Sequence, residues 1–128
     1  MIPNKRQPME NNSLIHWPWP HEMDALIAAP RHHKLLFENE KVRVLDTFIS
    51  PGELTEIHTH QWPASLYILS WSHFIRYDID GNILLDSRDL AAPPSPNTAL
   101  WSAALIPHAL KNMGTTDLHV ISIEIKHG

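Results

Sequence analysis

From residue 34 onward, apolar and polar residues follow one another in short runs that are typical of β-strands. The runs KLLFEN and KVRVLDTFIS flank a turn at Asn39-Glu40, and the second run carries apolar side chains at both parities. Apolar groups on both faces of one strand are expected where a second sheet packs against the first. The run LHVISIEIK near the end of the chain places Ile121, Ile123 and Ile125 on one face at a period of two residues.

Turn signals separate these runs at regular intervals. Pro51-Gly52 predicts a turn, Asp80-Gly81 predicts a tight hairpin, and the three prolines within residues 91–97 predict a loop. The run ASLYILSWSHFIRYDI between them is long enough for two strands. The whole pattern predicts an all-β domain with about eight to ten short strands, arranged as a sandwich, jelly roll or small barrel.

The first thirty residues differ from this pattern. Residues 1–13 are polar and predict a loose tail, and IHWPWPHE (15–22) alternates tryptophan with proline in a way that favours extended backbone. This segment is either an arm packed on the domain or on a neighbouring subunit, or a turn with one buried tryptophan. HEMDALIAAP predicts a short helix that ends at Pro30. We therefore divide the chain into an N-terminal segment, 1–30, and a β-domain, 31–128.

Composition narrows the range of functions. The chain has 128 residues, of which 43% are hydrophobic and 19% charged, and its net charge is −4 with histidine neutral. This suits one folded domain. The lysines and arginines are scattered, so we expect no nucleic-acid partner. The absence of cysteine excludes disulfides, thiolate metal sites and thiol nucleophiles. With neither a long apolar run nor a secretion-signal pattern, the sequence predicts a cytoplasmic protein without a membrane partner.

The chain contains ten histidines, and three of them are candidate metal ligands. His58 and His60 lie two residues apart in an extended segment, so both imidazoles point to the same side and can reach one ion. A tight site needs a further ligand, for which His108 is the leading candidate. His32 and His33 are adjacent, so they are expected to point to opposite faces and not to share an ion.

The spacing of these histidines resembles that of the cupin family of jelly-roll proteins. Gly52, five residues and then His58-Thr-His60 match the first half of the first cupin motif. Pro107-His108 through Asn112, followed by Gly114, is similar to the second motif. The resemblance covers about residues 35–126, and the preceding segment DALIAAPRHHKLLFENEKVRVL also resembles, more weakly, the lead-in of small single-domain bacterial cupins. The glutamate of the first motif would fall at Ala64 or Ser65, so this chain lacks it.

The resemblance implies a jelly-roll β-barrel that holds a divalent ion, such as iron, nickel, manganese or zinc, on His58, His60 and His108. Three neutral imidazoles would leave the ion with its full charge, which favours a small polar or anionic organic ligand. The expected chemistry is that of a dioxygenase, a lyase or an isomerase. The alternative is a metal-free cupin that binds a small molecule without catalysis. A homodimer is also implied.

Five further residues are candidates for the pocket around this site. If Ser65 faces the pocket, Tyr67 does so too by alternation, and its hydroxyl could donate a proton to a bound oxygen. The alternative for Tyr67 is a core position with its hydroxyl satisfied. Trp62 is predicted at the pocket mouth, and Trp101 is predicted as an apolar wall. Arg76 is predicted to bind a substrate carboxylate, although exposure to solvent is the commoner position for a strand arginine.

Overall fold

A computed structural model of the chain describes residues 17–126. This part begins with a 3₁₀ turn, His21–Met23, and a one-turn helix, α1 (Ala25–Ala28). The carboxylate of Asp24 caps α1 by accepting a hydrogen bond from the Leu26 amide at 3.0 Å. The short N-terminal helix predicted from the sequence is thereby confirmed. The predicted tail and the first two residues of the tryptophan-proline segment lie outside the described residues.

Nine strands follow in the described part of the chain, in the order β1 (His33–Glu38), β2 (Val42–Ile49), β3 (His58–His60), β4 (Ala64–Ser70), β5 (Phe74–Tyr77), β6 (Ile83–Asp86), β7 (Ala99–Ser102), β8 (Leu105–Asn112) and β9 (Leu118–Ile125). They form a five-stranded sheet in the order β1-β2-β9-β4-β7 and a four-stranded sheet in the order β3-β8-β5-β6. All strand pairings are antiparallel. The predicted all-β jelly roll is confirmed. No helix within residues 17–126 has the length and apolar character needed to cross a bilayer.

The predicted turns are formed where the sequence signals lie. The β5–β6 hairpin closes on Asp78, whose carboxylate accepts hydrogen bonds from the amides of Asp80 and Asn82, each at 2.9 Å. Gly81 completes this turn with a φ of 84°. Because this region of φ is unfavourable for residues with a Cβ, glycine is the residue that the turn requires.

Alternation along each strand decides which side chains enter the barrel. On β9 the buried positions are Leu118, Val120, Ser122 and Glu124, so the three alternating isoleucines lie on the outer face of the sheet. The apolar core occupies one end of the interior and consists of Ile49, Ile68, Phe74, Leu118 and Val120. The other end of the same strands carries polar side chains, which form the site described next.

The N-terminal segment packs close to the polar end of the barrel. Asp24 forms a β-bridge with Thr59 on β3, and the rings of Trp17 and Trp19 pack in a T-shaped arrangement with centroids 4.8 Å apart. Both tryptophans are half-buried. Together with Gln61 and four neighbouring residues they line a cleft of about 240 Å³. The tryptophan-proline segment therefore packs on the domain itself in its described part.

Candidate metal centre

Four imidazoles from three strands converge inside the polar end of the barrel. His58 on β3 lies opposite His108 on β8 in the strand register, and their ring centroids are 4.4 Å apart. His33, the first residue of β1, brings its ring to 4.6 Å from that of His58 and to 5.3 Å from that of His60. The ring of His60 lies 5.0 Å from His58 and 5.6 Å from His108.

Three of these histidines have the geometry of a metal-binding group. One ring nitrogen each from His33, His58 and His60 lies within 4.8 Å of the other two. His108 lies beside this group rather than in it, although its ring is in contact with that of His58. The structure thus brings together the three histidines predicted from the sequence and adds His33. Whether His108 is a ligand stays a prediction.

The other ring nitrogen of each histidine is held by a hydrogen-bond acceptor. The Nδ1 atoms of His33, His58 and His108 lie 2.9, 2.7 and 2.7 Å from the backbone carbonyl oxygens of Ala29, Glu56 and Ile106. A carbonyl oxygen can only accept, so Nδ1–H donates in all three rings and Nε2 keeps its lone pair. This arrangement orients imidazoles toward a metal ion and sets their tautomer.

Burial keeps these imidazoles neutral. Burial, reinforced by the neighbouring His60, lowers the pKa of His33 and of His108 to about 3. Burial and the adjacent rings of His108 and His60 also lower the pKa of His58 well below its ordinary value. A metal ligand must be unprotonated, so these rings are in their binding form at neutral pH.

A network of buried charged side chains holds the ring of His60 in place. The Nδ1 of His60 lies 3.2 Å from a carboxylate oxygen of Glu124, a residue with only 1% of its surface exposed. The other oxygen of Glu124 accepts from Nε of Arg43 at 2.6 Å. The two terminal nitrogens of Arg43 donate to the carboxylate of Asp24 at 2.9 and 2.8 Å. The N-terminal segment is therefore linked to the centre through Asp24, and also through the carbonyl group of Ala29.

The pKa values of Asp24 and Arg43 follow from the pairing of these two groups. Burial alone would raise the pKa of Asp24, but hydrogen bonds from Arg43 hold it below its ordinary value. Burial would likewise lower the pKa of Arg43, but the two carboxylates raise it instead. Asp24 and Arg43 therefore stay charged near neutral pH, and a fully paired buried network of this kind is rigid.

Solved structures share this architecture. A cupin domain from Bordetella pertussis aligns with a TM-score of 0.59 and 18% sequence identity, over 74% of this chain and 92% of that one. An RmlC-like cupin family protein with a double-stranded β-helix fold from Methanocaldococcus jannaschii aligns with a TM-score of 0.52 and 13% identity, over 74% and 79% of the two chains. This chain has the cupin fold. No protein-family model and no curated protein matches its sequence.

The acid that the cupin motif would place on β4 has a counterpart on the neighbouring strand. Ala64 faces the interior and lies directly opposite Glu124 in the register of β4 with β9. The carboxylate of Glu124 thus enters the cupin barrel beside the position that lost its glutamate. Its oxygens contact His60 and Arg43, so it orients a histidine.

Three of the predicted pocket residues lie on the outer face of the five-stranded sheet. The inward positions of β4 belong to Ala64, Leu66 and Ile68, so Ser65 and Tyr67 point the other way. The hydroxyl of Tyr67, which is 38% exposed, donates to the side-chain oxygen of Asn97 at 3.3 Å. Trp101 pairs with Ser65 on the same outer face and is 63% exposed. The structure does not bring these three residues to the histidines.

The other two predicted pocket residues lie nearer to the centre. Trp62 contacts the supporting network, with its ring centroid 5.1 Å from the guanidinium carbon of Arg43 and 5.5 Å from Nζ of Lys126. Arg76 on β5 lies opposite Leu85 and Leu110, which both pack against the core, so it shares the inner face of the four-stranded sheet.

Sequence reasoning missed two residues of the centre, His33 and Glu124, which both lie on strands of the five-stranded sheet. The expectation that His32 and His33 diverge agrees with the structure, because Nε2 of His32 lies 3.2 Å from a carboxylate oxygen of Glu53 while His33 turns inward. Because β1 and β3 belong to different sheets, only the tertiary structure shows that the ring of His33 reaches those of His58 and His60. The sequence did carry a signal for Glu124. This acid lies on the face of β9 opposite the isoleucines, and an acid on a buried face needs a charged or hydrogen-bonding partner.

Proposed function

We propose that this cupin binds a divalent metal ion through His33, His58 and His60, and that the ion recruits a small anionic organic molecule for conversion. The observation that carries the proposal is the convergence of three ring nitrogens within 4.8 Å of one another. The backbone carbonyls that accept from Nδ1 of His33 and His58 leave Nε2 of both rings free to bind.

In the described part of the chain, the side-chain hydrogen bonds of the four imidazoles all involve Nδ1, so no protein group donates to their Nε2 atoms. One ion bound by several Nε2 atoms would satisfy them together.

The donor set also indicates the ion and its use. Imidazole nitrogen suits iron, nickel and zinc, whereas a hard ion such as calcium requires oxygen ligands. A bound ion would supply Lewis acidity and a template for an anionic ligand. Glu124 would orient His60, while the guanidinium of Arg43 balances the charge of the Glu124 carboxylate. A dioxygenase, a lyase or an isomerase would each use a site with these properties.

Metal analysis of the purified protein tests the proposal. We expect one equivalent of a transition metal per chain after purification without added metal, or after chelation and reloading with cobalt(II). Because each ligand contributes to the same ion, His33→Ala and His58→Ala should each weaken cobalt binding by at least about 100-fold. His108→Ala, measured in parallel, shows whether the fourth ring is a ligand.

His119→Ala is the matched control for these variants. His119 is a strand histidine whose Nε2 lies 2.8 Å from a carboxylate oxygen of Asp46, and it faces away from the barrel interior. This variant should keep wild-type metal content. A wild-type protein that takes up no ion, or a His58→Ala variant that binds cobalt as tightly as wild type, would contradict the metal centre. The first result would favour the metal-free binding cupin.

A further inference from the structure

Two arginines face the interior of the barrel, and they differ in what surrounds them. Nε and both terminal nitrogens of Arg43 donate to the carboxylates of Glu124 and Asp24. Within residues 17–126 the guanidinium of Arg76 makes no hydrogen bond or ion pair with a protein group, and its Nε is a buried donor without a partner. The ring of Phe74, with its centroid 5.8 Å from the guanidinium carbon, lies against it.

The position of Arg76 connects it to the metal centre. Arg76 lies opposite Leu110 on β8, and His108 is two residues from Leu110 on the same inner face. Diagonal neighbours of this kind in adjacent strands are about 7–8 Å apart. The proximity also appears in the charge balance, because the guanidinium contributes to the lowered pKa of His108. A short molecule could therefore contact both Arg76 and an ion at the histidines.

An unpaired guanidinium in such a place is unfavourable for folding alone. The side chain of Arg76 is half-buried and its Nε is fully buried, and this burial lowers the pKa of the guanidinium because a charge without a counter-ion is unfavourable away from water. A guanidinium edge presents two parallel N–H donors that match the two oxygens of a carboxylate. One guanidinium balances one negative charge, which suits a monocarboxylate group better than a phosphate dianion.

We infer that Arg76 is the binding site for a carboxylate group of the molecule that this cupin recruits. The inference rests on the proposed function for the other end of that molecule, which would meet the ion held by the histidines. It assigns the substrate class as short organic acids, with the carboxylate held by Arg76 and the remainder extending toward His108 and His58.

The experiment compares thermal stabilisation by small probes at constant ionic strength. Acetate and glycolate are titrated into wild type, Arg76→Met and Arg88→Met, with acetamide as the uncharged probe and inorganic phosphate as the competing anion. Acetate and glycolate should raise the unfolding temperature of wild type, and acetamide should not. Arg76→Met should weaken their binding at least tenfold. Arg88→Met, which removes an exposed arginine paired with Asp86, should respond as wild type does.

Stability without a ligand separates a binding role from a structural one. Since methionine replaces a half-buried, unpaired charge with an apolar chain of similar length, Arg76→Met should unfold at the wild-type temperature or above it. An Arg76→Met variant that is less stable or fails to fold, or that still binds acetate normally, would overturn the inference. An equal response of wild type to acetate and acetamide, or tighter binding of phosphate than of carboxylates, would do the same.

Cobalt content measured on the same samples distinguishes this inference from the proposed function. Arg76→Met should bind cobalt as wild type does, because it leaves the histidines intact. If acetate stabilises the protein through Arg76 but the same protein takes up no cobalt, the carboxylate site is supported and the metal centre is contradicted. Normal cobalt binding without such a response would support the metal centre and overturn the carboxylate site.

Discussion

The interior of this barrel has an apolar end and a polar end, and the same strands build both. Strand β9 begins with Leu118 and Val120 in the apolar core and ends with Ser122 buried and Glu124 in the polar network. Strand β2 runs in the opposite direction and passes from Arg43 to Ile49. The two ends share one backbone frame, and they differ only in the side chains that alternation directs inward.

The comparison shows how one small domain separates folding from chemistry. The apolar end needs no specific partner for each atom, because burial stabilises it in proportion to area. The polar end needs every charge paired in a defined geometry, as in the links from Asp24 through Arg43 and Glu124 to His60. We therefore expect mutations at the two ends to change different measurable properties.

The largest effect on stability should come from breaking the polar network at its centre. Arg43→Met would leave the buried carboxylates of Asp24 and Glu124 without a counter-charge, so we expect a loss of about 3–5 kcal/mol in the free energy of unfolding. Urea denaturation of wild type and variant measures this loss. Arg88→Met is the control, because its side chain is 70% exposed and its ion pair with Asp86 is screened by solvent. Equal stability of the two variants would contradict a fully coupled network.

A cavity at the apolar end should reduce stability and leave the cluster of four histidines intact. Ile68 is fully buried in the core, so Ile68→Ala should lower the free energy of unfolding by about 2–5 kcal/mol. Cobalt stoichiometry, measured below the unfolding transition, should remain that of wild type. A folded Ile68→Ala protein that has lost cobalt binding would show that the two ends are not independent.

The polar end alone should make the metal-free protein sensitive to mild acid. The folded pKa values of His33 and His108, about 3, lie below the value of about 6.5 for an unfolded histidine. Below pH 6.5 these histidines therefore bind protons in the unfolded chain but not in the folded chain. The free energy of unfolding falls as the pH decreases toward 3. Each such histidine contributes a slope of up to about 1.4 kcal/mol per pH unit.

Urea denaturation of the metal-free protein between pH 7 and pH 4.5 measures this slope. A His33→Gln, His108→Gln double variant should show a shallower dependence over the same range, because it removes two of the groups responsible. Ile68→Ala should keep the wild-type slope at lower overall stability. A double variant with an unchanged slope would mean that the buried imidazoles do not control the acid response.

Much of the polar end could be read from the sequence, but only as separate pieces. The parity of His58 and His60 and the spacing to His108 placed three imidazoles at one point, and the structure brings these rings together. The same alternation rule could not tell which parity of β4 enters the barrel. Tyr67 and Ser65 were assigned inward on that strand, whereas Leu66 and Ile68 occupy the interior.

The chain alone determined the strands, the turns and the fold class, because these depend on neighbouring residues and on a period of two. The resemblance to the cupin motifs also predicted that His58, His60 and His108 meet, and the direct pairing of β3 with β8 in the structure brings these rings together. Tertiary structure decided which second-sheet residues complete the site. His33 and Glu124 reach the centre because two sheets pack face to face, and that contact has no local signature. Packing likewise decided that Arg43 is paired whereas Arg76 has no partner within residues 17–126, although both are arginines within strands.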